Sequence, residues 1–153
     1  MATTTAAITL TSADLLTDAL SLSATNTLYK AGSTVGLDQT TGMTKAYLTA
    51  TTNVDIFPTL IEGSMAFAGK SSWVYICNKS EDETEYATIT ISGNIIGKLY
   101  AGDYLWMPWS QSEDADAGGD NKHADIELLP SVATGMWFEW TCINEGTEYP
   151  DAV

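Results

Sequence analysis

Arginine is absent from the 153-residue chain. All six basic residues are lysine, set against 20 Asp and Glu, so the formal net charge is -14. Arginine supplies the planar fork that reads phosphates and guanine edges, and an acidic surface repels polyanions. Nucleic-acid binding, phosphoryl transfer and attachment to an anionic membrane are therefore not expected, and the partner should be neutral or basic. Long apolar runs are also missing. The longest, such as 73–77 and 104–109, fall far short of the roughly 20 residues that span a bilayer as a helix. The opening MATTTAAITL has no basic stretch and no continuous apolar core, so it does not read as a secretory leader and the expectation is synthesis in the cytoplasm.

Cysteine and histidine are equally scarce. Cys77 and Cys142 sit in separate apolar runs, where the simplest reading is two small buried hydrophobes and nothing in the spacing implies a disulfide. The single histidine, His123, lies in a polar loop without Cys-x-x-Cys or His-x-x-x-His spacing around it, so neither zinc nor a nucleophilic triad is expected. No cofactor and no small-molecule substrate follow from these residues.

What is present is enough to bury a core: 44% hydrophobic residues, with five Trp, seven Tyr and three Phe. They are unevenly spread. Sixteen of 22 threonines precede residue 61, while all five tryptophans and 16 of the 20 acidic residues follow it. The reading is an arm with edge strands over 1–60 and a β domain over 61–153. Within the arm, Thr11 to Leu20 has a hydroxyl cap, Asp14 in the first turn and Leu15, Leu16, Ala19 and Leu20 on one helical face, which predicts one short helix. Afterwards the period changes to two. Strands are expected at 20–24, 27–30, 45–52, 54–57, 65–67, 73–77, 86–91, 96–100, 104–109, 124–129 and 136–143, with a type II′ turn placing Gly93 at its first central position. Short strands without crossover helices predict an all-β fold, an antiparallel β-sandwich of jelly-roll-like form.

Three constellations bear on chemistry. Asp114, Asp116 and Asp120 with Gly118 and Gly119 match the first half of a calcium loop, but Lys122 stands at the ninth position and Asp125 at the twelfth. They remain weak candidates, and no metal is expected. Glu139, in the run MWFEW, has an apolar sequence context; alternation puts Met136, Phe138 and Trp140 on one face and Trp137, Glu139 and Thr141 on the other, which turns Glu139 outward. Trp106 and Trp109 cannot share a face of a regular strand, so one should point outward as an interface or a sugar-stacking platform. Leu15, Leu16, Leu20, Leu22, Trp106, Trp109 and Trp137 are the expected interface residues.

The run WVYICN, a polar loop, ATITISGNIIGKLYAGDYLWMPW and a late MWFEWTCI together resemble small virion structural proteins of tailed bacteriophages. The likeness covers about the last 85 residues, with the Thr/Ala-rich opening similar in flavour. It implies a non-enzymatic head decoration (cement) protein on the capsid surface, synthesised in the host bacterial cytoplasm. Its implied partners are the major capsid protein and copies of itself, in a trimer for instance. The rival readings are a tail or fibre component and a carbohydrate-binding, receptor-binding module. The resemblance implies no catalytic residue.

Overall fold

The structure, a computed structural model, describes residues 3–14, 19–49, 51–57, 71–91, 93–109 and 125–145. Among the described residues eleven strands run in chain order: β1 (Thr4–Ser12), β2 (Leu20–Leu28), β3 (Gln39–Thr40), β4 (Thr44–Leu48), β5 (Val54–Phe57), β6 (Ser72–Asn78), β7 (Tyr86–Ile91), β8 (Asn94–Tyr100), β9 (Tyr104–Pro108), β10 (Ile126–Pro130) and β11 (Met136–Asn144). Every strand pairing is antiparallel. The fold is all-β.

Three sheets result. One has the order β5-β10-β7-β8, and a second runs β3-β11-β6-β9 with β4 beside β3 on the same strand, β11. The third is the hairpin β1-β2 alone. Period-two patterning explains the two larger sheets, because each strand sends alternate residues to a common core. From the first sheet come Ile56, Phe57, Ala87, Ile89, Leu99, Ile126 and Leu128, and from the second Val74, Ile76, Met136, Phe138 and Cys142, all in one hydrophobic cluster that Trp109 joins. Strands from the first 57 residues take edge positions in both sheets, and β5 carries Ile56 and Phe57 into that cluster.

Asn78 at the end of β6 links the sheets. It is fully buried. Its Nδ2 donates to the Leu99 carbonyl of β8 at 3.0 Å, and its Oδ1 accepts from Ser80 N at 2.9 Å. Its main chain exchanges bonds with the β8–β9 turn, Asn78 N donating to Asp103 O and Gly102 N to Asn78 O, each at 3.0 Å.

Two expectations change. Thr11 and Ser12 close β1 and Leu20 opens β2, with Ser12 opposite Leu20, so the segment read as a helix belongs at both ends to a hairpin, and the described residues contain no helix. Cross-strand pairing over nine residue pairs outweighs one local capping signature. Leu15 and Leu16 lie outside the described residues, as do Asp114, Asp116, Asp120, His123 and the strand expected at 65–67. The β7–β8 hairpin pairs Ile91 with Asn94, so Gly93 is its second central residue, with φ +73°, and the turn starts one residue earlier than the sequence predicts. The need for positive φ, which glycine meets without a Cβ clash, is unchanged.

Cys77 and Cys142 are free and buried. Cys142 belongs to the core cluster, whereas Cys77 alternates with core-facing Val74 and Ile76 and so occupies the other face of β6. Opposite faces keep the sulfurs apart. Burial pushes the Cys142 thiol up to about 11, against a smaller opposing hydrogen bond with Asn144, which leaves it protonated and unreactive at neutral pH.

Candidate functional site: an aromatic groove beside a strand edge

The face of the second sheet that turns away from the core is aromatic. Strand alternation puts Trp73 and Tyr75 of β6, Tyr104 and Trp106 of β9, Trp137 of β11 and Tyr47 of β4 on it. The rings form neighbouring pairs. Trp73 stacks on Trp106 at 5.2 Å between centroids and 26° between planes, Tyr75 meets Tyr104 at 6.2 Å, and Trp137 leans on Tyr47 at 5.2 Å. Such pairs add about 0.5–1.5 kcal/mol each beyond area burial. Tyr104 and Trp137 nonetheless stay 59% and 46% exposed, a large outlay of ring surface to water.

Glu139 divides this face. It points outward as the alternation predicts, half-buried, with Lys45 Nζ at 3.3 Å and Lys79 Nζ at 4.0 Å. Two lysines hold it as a structural ion. Lys45 also lies 5.9 Å from the Trp137 ring.

Over the β6–β9 half of the face lies the N-terminal hairpin, and between them is a groove of about 490 Å³ lined by Thr5, Ala6, Ala7, Ile8 and Thr9 with Tyr75, Tyr104 and Trp106. Five consecutive β1 residues line it, so positions of both strand parities contribute. The strand's edge therefore forms this wall. Among the described residues β1 pairs only with β2, so half of its N–H and C=O groups face away from that partner. No lining residue is charged. Tyr75 is held neutral, its pKa pushed up to about 12 by a hydrogen bond with Cys77 and then by burial.

Of the expected interface residues, Trp106 lines the groove, Trp137 stands exposed on the same face, and Leu20 and Leu22 are 43% and 45% exposed on the hairpin. Trp109 is a correction. One residue past β9, it is 6% exposed and packs on Phe57 at 5.2 Å, because Trp109 N bonds Ser72 O at 2.8 Å and turns the ring into the core. The β1 wall, Tyr75 and Tyr104 are additions that sequence reasoning missed; the alternation of Ala6, Ile8 and Leu10 was the available signal for β1.

A second grouping lies on the other sheet. Asp55, Asp125 and Glu127 bring carboxylate oxygens within 4.8 Å of one another, because the register sets Asp55 opposite Glu127. Glu127 Oε2 already accepts from Asn53 Nδ2 at 2.8 Å and Thr90 Oγ1 at 2.7 Å. Burial, then the Glu127 charge and hydrogen bond, then Asp125, raise the Asp55 carboxyl above its ordinary value. A raised folded-state pKa means that the fold holds the Asp55 proton more tightly than the unfolded chain does. Its stabilising contribution is complete at low pH and is lost as pH rises through the raised value. Asp55→Asn should therefore raise the melting temperature at neutral pH, and the gain should shrink as pH falls through the Asp55 titration. Calorimetry across pH checks this, and a loss of stability at neutral pH would contradict it.

Comparison with protein families, curated proteins and solved structures finds no match for this chain.

Proposed function

We propose that the chain is a non-enzymatic virion structural protein, a jelly-roll-like sandwich that decorates an assembled bacteriophage head by bridging capsid subunits. The observation that supports it most is the groove: an uncharged aromatic floor beside the unpaired edge of β1. A neighbouring subunit's extended, neutral or basic segment adds to that edge, its main chain bonding β1 while alternate side chains seat on Tyr75, Tyr104 and Trp106. The surplus of acidic residues elsewhere keeps the free protein soluble and steers it toward a basic shell. Electron microscopy of particles encoded with this chain tests the reading. Density for the fold on the head surface, lost in particles carrying Tyr104→Ala with Trp106→Ala, is expected. Density on the tail, or none on the particle, overturns it.

The same rings favour a second reading, carbohydrate binding, in which a sugar's apolar face stacks on Trp106 or Tyr104. A soluble glycan that quenches tryptophan fluorescence in the full chain and not in Trp106→Ala would put this reading first.

A further inference from the structure

The hairpin holds a second surface, which meets the groove only at Ile8. Its strands read TTAAITLTS and LSLSATNTL, without a single charged residue in a chain of net charge -14. The register sorts them by face. Ile8 pairs with Ala24, Leu10 with Leu22 and Ser12 with Leu20, so Ile8, Leu10, Leu20 and Leu22 share one face toward the far end of the hairpin. The opposite face carries Thr9, Thr11, Ser21 and Ser23. A two-stranded sheet with one apolar face normally lays that face on a core. Here the four residues are 39–45% exposed, and a two-stranded sheet is marginal in water alone.

The occupant follows from charge. A partner drawn by the acidic surface would meet carboxylates, and the hairpin offers it none. A second copy is repelled by every acidic part of the molecule and can approach closely where charge is missing. We infer that the hairpins of different copies of this chain pack apolar face on apolar face, making Ile8, Leu10, Leu20 and Leu22 the centre of a homo-oligomer. A nine-residue hairpin face is only about 30 Å long and buries on the order of 300 Å² per copy, small for a stable interface, so association should depend on concentration. Because the contact is apolar and the remaining surfaces repel, added salt should strengthen it by screening. An oligomer held by ion pairs would respond in the opposite sense.

Self-association through this face and shell attachment through the groove share only Ile8, so variants at Leu10 and Leu22, which lie outside the groove lining, let either fail alone. Sedimentation equilibrium of the full chain, from about 5 to about 200 µM and at low and high salt, reads the first directly. The expected result is a mass that rises from one copy to two or three with concentration, more readily in salt. Leu10→Asp with Leu22→Asp should stay monomeric throughout while keeping the parent's near-ultraviolet circular dichroism, which the aromatic face and core report. Thr11→Asp with Ser21→Asp, a cross-strand pair on the hydroxyl face outside the groove lining, adds the same charge and should still associate. A full chain that remains monomeric over the whole range overturns the inference. So does an oligomer that survives Leu10→Asp with Leu22→Asp, or one equally lost in the Thr11→Asp, Ser21→Asp variant.

Discussion

Asn78→Leu should destabilise the fold by about 3 kcal/mol, although leucine is close in size. Asn78 is fully buried, and its amide satisfies the Leu99 carbonyl and the Ser80 N–H. Leucine leaves both without that partner, and each desolvated polar group left unmade costs about 1–3 kcal/mol. The gain from extra apolar burial, about 1–2 kcal/mol, offsets only part of this. Asn78→Asp should cost at least as much at neutral pH, since it puts an unpaired charge in the same place. Urea unfolding of both variants measures the effect, and a loss below about 1 kcal/mol would show that the two sheets are joined by packing alone.

Gly135→Val should cost about 3 kcal/mol for two separable reasons. Gly135 has φ +101°, which an L side chain adopts at about 1–2 kcal/mol. A Cβ there would also lie 2.5 Å from Tyr47 Cε1 and 2.8 Å from Thr49 Cγ2. Overpacking of this kind typically costs about 1–3 kcal/mol. The Tyr47 ring cannot swing away without losing its hydroxyl bond to Thr134 O at 2.7 Å and its contact with Trp137. Tyr47→Ala together with Gly135→Ala should therefore lose less than the sum of the two single changes, because the double variant has no ring to clash with. Additive losses would assign the cost to the backbone and the Thr49 contact instead of the ring.

How far the sequence carried the account depends on the kind of signal. The strands from β5 to β11 were legible because they alternate cleanly between flanking turns, and Glu139 faces outward as its position between Phe138 and Trp140 requires. β1 was not, because threonine and alanine alternate with weak contrast and the Thr11–Asp14 capping pattern pointed to a helix; only the pairing with Leu20–Leu28, a segment the sequence already reads as strand, settles it. Trp106 and Trp109 do take opposite faces as the sequence predicts, but the sequence did not say which of them is the outward one. Trp109 shares the parity of the core-facing Leu105 and Met107, and the Ser72 carbonyl that fixes its backbone is 37 residues away. The groove was illegible in principle. Its floor comes from β6 and β9 and its wall from β1, three segments that no local pattern relates. Asp55 beside Glu127 is likewise a product of register and not of spacing.

The claim on which the functional reading depends is that a partner segment adds to the free edge of β1. Hydrogen exchange of the full chain, free and bound to capsid shells at the same protein concentration, tests it residue by residue. The account predicts that amides within Thr4–Ser12 exchange markedly more slowly in the bound state, with tryptophan emission shifting as Trp106 is covered, while β5 and β10 are unchanged. Full occupancy on the shell with β1 amides exchanging as in the free protein would contradict it and place the attachment on another surface.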